Sequence, residues 1–186
     1  MFPLLLLAAG LQLAPPDPPR VEVTAQAGWL GVSSPDIQSW NDRIDTGAAT
    51  LAGGFFVTPN LKLEFGAGWS GAPRVYANEI PYSIRTVRST TLAPAVSYQF
   101  SENRWVHPFV TAGAHVIRET EEIDVPRQAT LPPSFRTERS TRVTAFAGGG
   151  VNFYVAPRAF VRTELQLAPE RDGLRTRWTT GIGVNF

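Results

Sequence analysis

The side chains that could do chemistry are few. The chain has two histidines, His107 and His115, and no cysteine. On one strand, eight residues of separation amount to roughly 27 Å at about 3.4 Å per residue, so the two imidazoles cannot share a metal ion and no thiolate can take their place. The acidic run Glu119, Glu121, Glu122 and Asp124 lacks the spacing of a calcium loop. It is answered by Arg127, Arg136 and Arg139 in the same stretch, which predicts a solvated loop neutralised from within. No cofactor is expected. With 17 basic against 16 acidic residues the chain has no electrostatic footprint for nucleic acid.

A second set of charges is more informative because of where it falls. Glu22, Lys62, Glu64, Arg142, Arg162, Glu164, Arg175 and Arg177 sit at alternate positions in segments whose intervening residues are apolar or uncharged. Alternation with period two is the signature of a β-strand with one oily face and one polar face. From Leu61 to Ser70, residues Leu61, Leu63, Phe65, Ala67 and Trp69 oppose Lys62, Glu64, Gly66, Gly68 and Ser70. The same separation holds for Val21, Val23, Ala25, Ala27 and Trp29 against Glu22, Thr24, Gln26 and Gly28, and for Val161, Thr163, Leu165 and Leu167 against Arg162, Glu164 and Gln166. It also holds for Val143, Ala145, Ala147, Val151, Phe153 and Val155, and for the last strand, where Leu174, Thr176, Trp178, Thr180, Ile182, Val184 and Phe186 oppose Arg175 and Arg177. Weaker strands run about 46–57, 86–100 and 105–118, with outer faces Leu51, Phe55 and Val57; Leu92, Pro94, Val96, Tyr98 and Phe100; and Val110, Ala112, Ala114 and Val116.

Eight strands follow, and their connections alternate in length. The turns at 58–60, 101–104 and 156–158 are short, the connections at 33–45, 71–83 and 119–140 are long and polar, and 168–172 is brief. No segment reaches the roughly 20 apolar residues of a membrane helix. Charge on one face and lipid-compatible residues on the other describe a closed transmembrane barrel, whose backbone polar groups satisfy each other. Aromatic residues mark both rims: Trp29 and Trp69 at the long-loop end, and Phe55, Tyr98, Phe100, Phe153 and Phe186 at the short-turn end. Residues 1–14, MFPLLLLAAGLQLA, read as a secretory signal peptide with no basic residue before Leu4; 15–19 form a proline-rich segment, and 20–186 the barrel.

In these features the chain resembles the small eight-stranded outer-membrane barrel family that includes the OmpA transmembrane domain and OmpX. The residues that carry the resemblance are the terminal GIGVNF ending on Phe186, the glycine-rich PFVTAGAHV at 108–116, and the alternating turn lengths. It implies an all-β, eight-stranded antiparallel up-and-down barrel in the outer membrane of a Gram-negative-type bacterium, with both termini periplasmic. It also implies that Trp178, Ile182, Val184 and Phe186 are read by the barrel-assembly machinery. Outer-membrane lipid and lipopolysaccharide are the expected surroundings, a monomer the expected state, and any extracellular ligand is left open.

An eight-stranded barrel is just wide enough for its inward side chains to fill it, so the eight alternating charges are expected to form a paired lumen network. A hairpin folded about 168–172 would set Glu164 opposite Arg177 and Gln166 opposite Arg175. The expected function is non-enzymatic: a barrel with a polar, largely plugged lumen and long loops, structural or surface-interacting. A narrow channel for ions or small solutes is the alternative, helped by inward glycines. Two others are weaker. Lipid-modifying barrel enzymes use a His-x-Ser pair, whereas His115 is followed by Val116 and Ile117, and His107 by Pro108 and Phe109. A soluble lipocalin-like carrier would put its apolar face inside, where Arg162 and Glu164 now alternate.

Overall fold

The computed structural model describes residues 21–33, 44–71, 74–77, 83–100, 103–126, 132–170 and 173–186. The expected signal peptide, the proline-rich segment, most of the first long connection and Arg127 lie outside the described residues. Among the described residues nine strands follow in order: β1 (Val21–Ser33), β2 (Ile44–Phe56), β3 (Leu61–Ser70), β4 (Arg74–Ala77), β5 (Ser83–Gln99), β6 (Val106–Val125), β7 (Ser134–Ala156), β8 (Ala159–Glu170) and β9 (Gly173–Asn185). Each pairs antiparallel with its neighbour in the order β3-β2-β1-β9-β8-β7-β6-β5-β4, and an additional β3–β5 pairing closes the ring. Eight strands make the barrel. The ninth, β4, pairs only with the end of β5 beyond the β3 contact, from Arg74↔Thr86 to Ala77↔Ser83.

The alternation sets which face each residue takes. Leu63, Phe65 and Trp69 are exposed on the outside while Lys62, Gly66 and Gly68 are buried, and the same division runs through β1, β8 and β9. The outer faces expected for the weaker strands hold as well: Leu51, Phe55 and Val57; Leu92, Pro94, Val96, Tyr98 and Phe100; and Val110 and Ala112 all face outward. Apolar exposure on this scale suits hydrocarbon, not water.

Closing only eight strands demands sharp curvature, and glycine supplies it at close approaches. A Cβ at Gly181 would strike the Ala25 carbonyl oxygen of β1, and one at Gly150 would strike the Thr163 carbonyl of β8. These backbones can approach so closely only because no side chain stands between them.

Three expected connections differ from what the structure shows. The stretch 71–83 holds β4, paired to the start of β5. The stretch 119–140 is not a long loop: β6 continues to Val125 and β7 begins at Ser134, paired without a break from Ile117↔Arg142 to Val125↔Ser134. Both faces of this hairpin carry mostly polar residues, so no apolar alternation marks it in the sequence, although backbone pairing needs none. The acids there find partners on other strands, Glu119 with Arg142 and Arg175 and Glu122 with Arg88, while Arg136 pairs with Glu138. The last hairpin also extends further than expected, pairing through Glu170↔Gly173. Its register therefore places Glu164 opposite Thr179 and Gln166 opposite Arg177, two residues from the expected alignment.

Candidate functional site: the barrel lumen

The lumen is crossed by five charged side chains from three strands. Glu22 comes from β1, Lys62 and Glu64 from β3, and Arg162 and Glu164 from β8, each brought inward by the alternation. Lys62 Nζ lies 2.5 Å from Glu22 and 3.1 Å from Glu64. Arg162 reaches three carboxylates at once: Glu22 at 3.1 Å, Glu64 at 2.8 Å and Glu164 at 2.8 Å. The Ser97 hydroxyl donates to Glu64, and Gln166 Nε2 donates to Glu164 at 2.8 Å. Both cations also lie against aromatic faces, Arg162 at 4.1 Å from the Phe109 ring centre and Lys62 at 5.4 Å from that of Phe56. Arg162 is only 2% exposed. A charge so far from water is tolerable only with paired, hydrogen-bonded counter-charges, and this cluster supplies them.

Layers of uncharged side chains stack on either side. Toward the short-turn end, Tyr154 packs on Phe160 and His107 with ring centres 5.2 and 4.7 Å apart, and Asn185 Nδ2 donates to the Tyr154 hydroxyl at 2.7 Å. Gln99 Nε2 donates to His107 Nδ1 at 2.7 Å. Toward the other end, the Thr179 hydroxyl donates to Gln26 Oε1 at 2.6 Å, and His115 stacks on Phe146 at 4.1 Å while donating from Nε2 to Gln166 at 3.1 Å. Between these layers a cavity of about 30 Å³ remains, lined in part by Thr50, Ala93 and Arg177. That is room for about one water molecule.

Arg142 and Arg175 belong to a separate ring at the long-loop mouth. Each pairs with both Glu119 and Glu170: Arg142 at 2.8 and 3.2 Å, Arg175 at 2.8 Å to Glu119 and in a shorter contact with Glu170. A vestibule of about 220 Å³ opens at this ring, with Leu30, Val32 and Val87 among its walls. The expected network is therefore split between two clusters, with Glu22, Lys62, Glu64, Arg162 and Glu164 deep in the lumen and Arg175 at the mouth, where Arg142 sits partly exposed. Arg177 is buried, yet makes no ion pair among the described residues, because the shifted register leaves both Glu164 oxygens to Arg162 and Gln166. Sequence reading missed Glu119 and Glu170 as mouth partners, since neither lies in a segment with clean alternation. It also passed over the inward Phe56, Phe109 and Phe146, which a strict reading of parity along their strands would have found.

On the outside, Trp178, Ile182 and Val184 of β9 and Phe186 just past its end are exposed on one face, with Thr180 between Trp178 and Ile182. Phe55, Tyr98, Phe100, Trp105 and Phe153 join Phe186 as exposed aromatics on the outer surface. Trp178 pairs across strands with Trp29, adding to the long-loop belt.

The family described as outer membrane protein beta-barrel domain matches residues 2–186. Among solved structures, this chain is similar to Neisserial surface protein A, with a TM-score of 0.62 at 15% identity, over 89% of this chain and 97% of that one. A major outer membrane protein from Thermus thermophilus gives 0.63 at 10% identity over 89% and 99%, and Ail, the attachment invasion locus protein of Yersinia pestis, gives 0.60 at 12% over 90% and 99%. At these identities the likeness is one of fold. No curated protein matches this chain in sequence.

Proposed function

The chain belongs to the outer membrane protein beta-barrel domain family, and on that premise we propose that it is a non-enzymatic barrel with a filled lumen, working structurally or by surface contact at its long-loop end. The observation that carries this reading is the five-charge cluster that joins β1, β3 and β8 across the lumen. Its side chains hold one another by ion pairs beside a cavity of about 30 Å³, which supports a filled lumen. His115 is engaged by Gln166 and Phe146 rather than by a serine hydroxyl, which supports a lumen role over a catalytic one. In a planar bilayer the wild-type monomer is expected to show little or no conductance while migrating faster unboiled than boiled on an SDS gel. Steady single-channel currents from such a folded monomer would replace this reading with that of a narrow channel.

The paired strands put both ends of the described chain at the short-turn rim, where Phe186 N–H donates to the Val21 carbonyl at 2.8 Å. We place that rim in the periplasm and the β6–β7 hairpin outside, surrounded by outer-leaflet lipopolysaccharide. The exposed β9 row supports recognition by the barrel-assembly machinery through Trp178, Ile182, Val184 and Phe186. Deleting Phe186 should then lower outer-membrane insertion several-fold with export unchanged, as judged by protease protection and fractionation. Insertion at the wild-type level would reduce Phe186 to a rim aromatic.

A further inference from the structure

The outer faces of β5, β6 and β7 stay in register beyond the last lipid-compatible residues, and the rows they form can be read strand by strand. Leu92, Val116 and Val143 make one row; the next is Thr90, Arg118 and Thr141; above it stand Arg88, Thr120 and Arg139; then Thr86, Glu122 and Thr137. Three arginines thus surround Thr120, two beside it on neighbouring strands and one two residues below it. With strands about 4.8 Å apart and about 6.8 Å per two residues, Arg88 and Arg139 have backbones about 10 Å apart, and Arg118 lies about 7 Å below the line between them. Their long side chains can converge on one group.

All three arginines are exposed, Arg88 with its side chain 63% accessible. Arg88 meets Glu122 only at 3.9 Å, and among the described residues Arg118 and Arg139 have no ion pair. The rest of the rim is different. At the same level the described outward positions of β1, β2, β8 and β9, and Gly71 just past β3, are Gly31, Asp45, Gly47, Gly71, Pro169 and Leu174, with no cation among them, while Arg74 of β4 pairs with Thr86 one row above Arg88 on the same side of the barrel. A one-sided cationic patch that begins one row above hydrocarbon-facing Leu92, Val116 and Val143 sits at headgroup depth, since the headgroup layer adds only about 5–7 Å beyond the hydrocarbon on each side.

Resting on the proposed orientation with this rim outward, we infer that Arg88, Arg118 and Arg139, with Thr90, Thr120 and Thr141 between them, form a docking patch for the phosphate of an anionic outer-leaflet lipid. Guanidinium groups bind phosphate oxygens bidentately, and threonine hydroxyls supply further donors. Continuity with the lipid face selects a membrane-embedded phosphate over a soluble one, because acyl chains can lie along Leu92, Val116 and Val143 while the headgroup meets the arginines.

The test uses full-length folded protein in neutral detergent, titrated with diphosphorylated lipid A, with the same lipid enzymatically dephosphorylated, with inorganic phosphate and with sucrose octasulfate, and read by native mass spectrometry. The wild type is expected to bind the diphosphorylated lipid at least tenfold more tightly than its dephosphorylated form. The triple variant R88Q/R118Q/R139Q should lose that preference, R118Q alone should lose about threefold, and R136Q, which removes an equal charge from the opposite face of the hairpin, should match the wild type. Retained preference in the triple variant, an equal loss in R136Q, or complete competition by inorganic phosphate or sucrose octasulfate at the lipid's own concentration would each overturn the inference. The unboiled gel shift and silent bilayer of these variants separate this outcome from failure of the filled-lumen reading. If the triple variant does not fold, R118Q against R136Q makes the same decision.

Discussion

Arg162→Leu is expected to destabilise the barrel by about 3–5 kcal/mol, the range for breaking a buried ion pair and leaving its partners uncompensated. The wild-type cluster sets Glu22, Glu64 and Glu164 against Lys62 and Arg162. Without the guanidinium, three buried carboxylates share a single cation, and Glu164 loses the one ion pair it makes among the described residues. Arg162→Leu combined with Glu164→Leu returns the cluster to an excess of one negative charge and should recover part of the loss, although Gln166 Nε2 then loses the acceptor it holds at 2.8 Å. Equilibrium unfolding by urea in lipid vesicles measures both. The single variant should also leak ions in planar bilayers, since the side chain that bridges β1, β3 and β8 is gone. An unchanged unfolding midpoint would mean that the carboxylates are solvated in the native lumen and that the cluster contributes no closure.

The barrel was legible in the sequence because lipid on one side and a narrow lumen on the other force a strict two-residue period. Where that force acts, as on β1, β3, β8 and β9, residue faces could be assigned one by one. Where it stops, so does the signal. Beyond Ile117 and Arg142 both faces of the β6–β7 hairpin carry mostly polar residues, and its continued pairing to Val125 and Ser134 leaves no hydrophobic trace. Partner assignment in the lumen failed for a related reason. Parity tells which way Glu164 and Arg177 point, but their height relative to each other depends on where the hairpin turns. Pairing through Glu170↔Gly173 moves the partner of Glu164 from the expected Arg177 to Thr179. Parity is a property of one strand, whereas register belongs to two strands and their turn.

Register against the membrane is a separate quantity, and Ala112→Arg should reveal it. Ala112 faces outward on β6, with Ala147 of β7 and Val96 of β5 beside it. Six residues before it on the same face, Val106 pairs with the rim aromatic Phe153. That puts Ala112 near the middle of the hydrocarbon and Val106 at its edge. An arginine at the midplane costs about 2–4 kcal/mol, and one near the interface about 0–1 kcal/mol, because a side chain close to the rim can carry its charge into the headgroups. Ala112→Arg is therefore expected to lower unfolding free energy in vesicles several times more than Val106→Arg. Neither change touches the lumen, so conductance should stay at the wild-type level in both variants. Equal losses would place the two positions at equal depth, and would require the hydrocarbon band to sit elsewhere on the barrel than its apolar rows and aromatic rims indicate.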